Sequence, residues 1–132
     1  MKIRTAITLA LVVAALQARA ETVVIGHPSA APMTLDQVSD AYLGKTSSIT
    51  IYDLGDGSPA RADFDHKALG KEPAQMKALW ARLAFTGKGQ PPREAADDAA
   101  VKKAVAANPK AIGYIDQASV DGSVKVLLAL PH

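Results

Sequence analysis

The chain has 132 residues, no cysteine and a formal net charge of +2, from 15 basic and 13 acidic side chains. That length fits one small domain and argues against a multidomain enzyme. Lys2, Arg4 and Arg19 lie in the first twenty residues, which hold no acid, so beyond Ala20 twelve basic residues face thirteen acidic ones, a formal charge of −1. General basicity of the kind that coats nucleic acid is therefore excluded, and any anion site has to be built locally.

Residues 1–20 read as an address. Lys2 and Arg4 precede the apolar run Ala6–Leu16, and Ala18-Arg19-Ala20 supplies the small-x-small pattern of a cleavage site. This predicts a secretory signal peptide cut between Ala20 and Glu21. The apolar run is shorter than the roughly 20 residues a membrane span needs. The expected product, residues 21–132, is one α/β domain that does not span the membrane after cleavage. It has no disulfides and no lipid-bearing cysteine, and the periplasm is its expected compartment.

Thr22–Ile25 is β-branched and ends at Gly26, which predicts a buried strand. The segment from His27 to Met33 holds two prolines and reads as a loop. Thr34 and Gln37 have capping-box spacing, so a helix with Leu35, Val38 and Tyr42 on its apolar face follows and stops at Gly44. Ser48–Leu54 alternates as a second strand. After the Gly55-Asp56-Gly57 turn, Ser58 is a good N-cap and Pro59 a good first helical residue. That helix is expected to reach Leu69 and stop at Gly70. Another begins near Pro73, with Met76, Leu79, Trp80 and Leu83 at helical spacing. Phe85–Arg93 reads as a loop. Asp97 and Asp98 open a fourth helix, with Val101, Ala104 and Val105 inward, and Asn108-Pro109 stops it. Ala111–Ile115 and Ser123–Leu130 are the last two strands.

This order predicts a layered α/β domain with a mostly parallel or mixed sheet of about four or five strands flanked by helices. Its best candidate site is the strand–turn–helix unit at Gly57, Ser58 and Arg61. Helix starts attract anions through free N–H groups and the dipole, Gly57 admits a close backbone approach, and Arg61 offers a charged donor. The ordinary reading of Ser58 is that it caps its own helix. The segment from Thr86 to Arg93 (TGKGQPPR) lacks P-loop spacing and reads as an exposed basic loop or a small anion nest. Asp63, Asp65 and His66 resemble scattered metal ligands, but nothing nearby completes a set, so no metal or other cofactor is expected. His27 sits in a loop after a strand, where ligands often bind in α/β proteins, and can equally be ordinary loop chemistry. No cysteine nucleophile, nucleophile elbow or carboxylate pair stands out, and an enzyme is not expected. Trp80 belongs to the apolar stripe.

Four segments taken together resemble the periplasmic phosphate-binding proteins of ABC transporters, above all their short single-lobe relatives. These are TLDQVSDAYLGK (34–45), DLGDGSPARADF (53–64), LWARLAFTGKGQPPR (79–93) and VAANPKAIGYID (105–116). The resemblance implies a single lobe of a type II periplasmic-binding-protein fold. In full-length members a D-G-S-G-T motif opens a helix that holds phosphate. Here it stands as Asp56-Gly57-Ser58-Pro59-Ala60. Ser58 matches, while Pro59 lacks the N–H and Ala60 the hydroxyl of that motif. The ligand set implied is Ser58, Gly57, the amides of Ala60 and Arg61, the Arg61 guanidinium, and Ser29 from the first strand's loop. The expected function is capture of phosphate or a related oxyanion without chemistry. The expected partners are an inner-membrane ABC permease, a porin or a sensor, with a homodimer as one way to complete the cleft. The alternative is an interaction or sensory module of the same fold with no ligand of its own.

Overall fold

The computed structural model describes residues 21–131. The expected signal peptide lies outside the described residues. The elements run β1 (Thr22–Gly26), α1 (Leu35–Tyr42), β2 (Thr50–Leu54), α2 (Pro59–Phe64), α3 (Pro73–Phe85), β3 (Arg93–Ala95), α4 (Asp98–Ala106), β4 (Ala111–Asp116) and β5 (Lys125–Ala129). They build one five-stranded sheet in the order β3-β2-β4-β1-β5. β2 pairs in parallel with both β3 and β4, whereas β1 runs antiparallel to β4 and β5. The sheet is thus the mixed form of the expected α/β lobe.

β1 and the first five residues of β4 are buried, which explains their unbroken apolar runs. Successive β4 residues face opposite sides of the sheet. On one side Gly113 lets α4 settle close: a Cβ there would lie 2.5 Å from Val101 Cγ1. On the other side Tyr114 stacks on Phe64 of α2, with ring centroids 4.2 Å apart and planes 7° apart. Tyr42 of α1 meets Phe64 edge-on at 4.7 Å. Trp80 joins the core, and its Nε1 donates to Tyr42 O at 2.9 Å.

The caps follow the sequence. Thr34 and Gln37 form the capping box, Ser58 and Asp97 cap α2 and α4, and Pro59 and Pro73 open α2 and α3. The helix expected to run to Leu69 instead changes pitch after Phe64 and finishes as one wide π turn, Asp65–Leu69, ended by Gly70 at φ 65°. β3 is an addition to the expected elements and begins at Arg93, the last residue of the segment read as a loop. It is three residues long, two of them exposed, and it follows two prolines, so it carries no alternating pattern.

Candidate functional site

Because β2 and β4 are parallel, their carboxyl ends lie at the same end of the sheet. Leu54 leads there into the Gly55–Ser58 turn. β1 runs the other way, so its start is at that end: Thr22 pairs with Asp116. Ser58, Pro59, Ala60, Thr22 and the acids Asp63, Asp98 and Asp116 line one depression of about 500 Å³.

Ser58 takes up its capping role. Its Oγ accepts from the Arg61 amide at 3.4 Å, and its carbonyl accepts from the same amide at 3.1 Å. The Arg61 amide is therefore occupied, Pro59 has none, and Ala60 supplies the first-turn donor that Ser58 does not use. Gly57 has open space around it, with nothing within 4 Å of where a Cβ would stand.

Two expected ligand groups lie elsewhere. Ser29 follows the end of β1, where Gly26 pairs with Ile112 and Lys125. That is the opposite end of the sheet, roughly 15 Å from Ser58 along a five-residue strand. The antiparallel direction of β1 is the reason. Ser29 instead folds back on His27: its amide donates to Nδ1 at 3.0 Å and its Oγ lies 2.7 Å from the same nitrogen.

The Arg61 guanidinium also turns away from the depression, into the protein, where the residue is 6% exposed. Nε donates to Asp65 Oδ2 at 2.8 Å and lies 3.5 Å from Asp53 Oδ1, while Nη1 donates to Leu54 O at 2.9 Å. Tyr114 completes the cluster: its hydroxyl donates to Asp53 Oδ1 and accepts from the Leu54 amide at 3.0 Å. Burial pushes Asp53 up to about 6, against the opposing pull of the Tyr114 hydroxyl and Arg61. Burial likewise raises Asp65, again against Arg61. Burial and then the Asp53 charge raise Tyr114. Burial would lower Arg61, but Asp53 and Asp65 outweigh it and hold the guanidinium charged. This cluster pins β2, α2 and β4 together directly beneath the turn. Sequence spacing shows only the Arg61–Asp65 pair, four apart on one helix face; Asp53 and Tyr114 are brought in by strand pairing.

The remaining acids near the turn have internal work. Asp98 Oδ2 accepts from the Asp116 amide at 3.1 Å and from Ser119 Oγ at 2.8 Å. Asp63 pairs with Lys67 at 3.1 Å, and His66 Nε2 lies 2.9 Å from Glu72. Asp63 and His66 thus each face a partner of their own. The Gly87 and Gly89 loop is exposed, with φ of 73° and 155°. Trp80 is 7% exposed and lies within the core as its stripe predicts.

No protein-family model and no curated protein matches the chain. Solved structures do. One, from Clostridium perfringens, is described as a phosphate ABC transporter substrate-binding protein with bound phosphate; it is 23% identical, with a TM-score of 0.65 over 82% of this chain and 44% of its own. Another, an ABC-type phosphate transport receptor from Vibrio cholerae, is 17% identical, with a TM-score of 0.64 over 82% of this chain and 45% of its own. The chain therefore spans less than half the length of either. At these identities the likeness is one of fold: a single lobe of a periplasmic-binding-protein fold. Among the described residues no helix is long and apolar enough to cross a membrane.

Proposed function

We propose that the chain is a periplasmic solute-binding lobe for phosphate or a related oxyanion, which it holds without chemistry at the Gly57–Ser58 turn. The observation that supports this reading is the retained unit itself: β2 ends in a tight turn, and Ser58 stands at the helix start in a lobe shared with two phosphate-transport binding proteins. The Ser58 hydroxyl and the Ala60 amide are the lobe's own contribution. The cationic share of the cage comes from outside the lobe, because Arg61 is committed to Asp53 and Asp65.

Two observations favour a second reading, an interaction module that docks on a permease, porin or sensor and holds no ligand of its own. The arginine beside the turn is buried in an internal ion pair, and three carboxylates surround the turn. Calorimetric titration with phosphate, with sulfate as control and light scattering for mass, separates the two. Saturable phosphate heat that falls in Ser58→Ala supports the oxyanion reading. No heat at millimolar phosphate, with the lobe folded and also at concentrations where light scattering shows it associated, refutes it and leaves the interaction module.

A further inference from the structure

A second cavity, of about 240 Å³, opens on the β3 side of the same turn, between α3 and the β2–β3 edge. Asp53 and Arg61 line its inner end, Met76 and Trp80 form an apolar wall, and Asp56, Lys77 and Glu94 line it as well. It is separate from the Ser58 depression, which opens toward β1, β4 and α4.

Charge does not balance in this cavity. Asp65, outside the lining, holds the same guanidinium as Asp53, so two buried carboxylates share Arg61. Farther out, Lys77 faces Asp56 at 3.5 Å, which leaves Glu94 in excess. Asp53 is 8% exposed, and its hydrogen bond from Tyr114 and its approach to Arg61 both use Oδ1. Oδ2 has no partner among the described residues. A desolvated carboxylate oxygen without a donor is costly, and an entering cation would remove that cost. Burial raises Asp53, and the charges of Asp65 and Glu94 add to that rise.

We propose that this cavity binds a small primary ammonium compound, with the ammonium on Asp53 Oδ2 beside Glu94 and its alkyl chain against Met76 and Trp80. The lining selects this class. An oxyanion would meet Asp53, Asp56 and Glu94, while the two lining cations, Arg61 and Lys77, are already paired with carboxylates. Among the described residues no group of three His, Cys, Asp or Glu is placed to hold a metal ion. An alkylammonium uses both halves of the lining, pairing its charge with the carboxylates and its chain with apolar surface, and the indole ring attracts cations as well.

Trp80 is the chain's one tryptophan, so its fluorescence reports on this wall. The test is titration of the protein with n-butylammonium, followed by that fluorescence and by calorimetry, with 1-butanol as the uncharged control of similar size. Saturable amine binding is expected, with butanol weaker by about tenfold or more. Asp53→Asn keeps an acceptor for Tyr114 and should weaken the amine by a similar factor. Glu94→Gln, on the exposed β3, should weaken it severalfold with an unchanged melting temperature. The proposal is overturned by equal binding of amine and butanol, by no saturation in the millimolar range, or by both variants binding like the parent. If Asp53→Asn does not fold, Glu94→Gln decides alone. Phosphate binding is scored at Ser58, so this result stands apart from the oxyanion reading.

Discussion

Replacing Arg61 with methionine separates a structural arginine from a ligand-binding one. Methionine has a similar length and fills the same space, so the change removes chiefly the charge and its donors. The guanidinium makes a 2.8 Å bond to Asp65 and a 2.9 Å bond to Leu54 O, and it lies 3.5 Å from Asp53. Hydrogen bonds to charged groups contribute about 1.5–3 kcal/mol each, and breaking a buried ion pair by removing one partner costs about 3–5 kcal/mol. The expected loss is therefore about 3–5 kcal/mol at pH 7.5, a large part of the roughly 5–15 kcal/mol that holds a domain together. Two buried carboxylates are left facing each other, so the loss should shrink at pH 5, where Asp53, already raised to about 6, takes up a proton. Urea melts of parent and variant at both pH values measure it. A loss below about 1 kcal/mol, or the same loss at both pH values, would refute the buried-cluster argument and make Arg61 a free ligand group again.

The parent protein should lose stability as pH rises from about 4 to 7. Asp53 is raised from 3.8 to about 6, so the folded state binds the extra proton; its contribution is full below 3.8 and lost as pH passes about 6, a change of roughly 3 kcal/mol. Asp65 shifts in the same direction, and Asp53→Asn should flatten most of this slope in thermal melts across that range. Gly113→Ala should cost about 1–3 kcal/mol in a urea melt, because its Cβ would sit 2.5 Å from Val101 Cγ1, whereas Gly57→Ala, with open space around it, should cost less than about 1 kcal/mol. Ser58→Ala should cost about 1 kcal/mol through loss of its cap, so its phosphate titration has to be paired with a melt that shows the protein still folded.

Much of the fold is legible because local chemistry and tertiary burial agree. Thr34 with Gln37, Ser58 with Pro59, and Asp97 mark helix starts that the packed lobe keeps. The stripe through Met76 and Trp80 marks a face that the core buries. The site is less legible, and the reason is direction. A run such as TVVIG predicts a strand without saying which way it runs beside its neighbours. With β1 antiparallel to β4, Ser29 falls at the wrong end of the sheet for Ser58. The Arg61 side chain fails for a related reason. Its partner Asp65 is four residues away and visible in sequence, but Asp53 and Tyr114 are 61 positions apart and meet only when β2 pairs with β4.

The same geometry says what phosphate capture by this lobe would require. The starts of α2 and α4 come to the end of the sheet where β2 and β4 finish, so two helix dipoles favour an anion there. Each start is already served from within: Ser58 accepts from Arg61 N, and Asp97 accepts from Ala100 N at 2.9 Å. Asp63, Asp98 and Asp116 add negative charge around the opening. An anion entering alone would exchange water for one free amide and one hydroxyl while approaching three carboxylates, a poor exchange at an open surface. Basic groups placed opposite by another body would change that balance, because they would neutralise the carboxylates and the ligand together. On the oxyanion reading, phosphate affinity should therefore rise steeply when a complementary half is added, and that gain should weaken with salt. If phosphate binds the lobe alone just as tightly, and without salt dependence, the contacts that hold it lie outside the Ser58 depression.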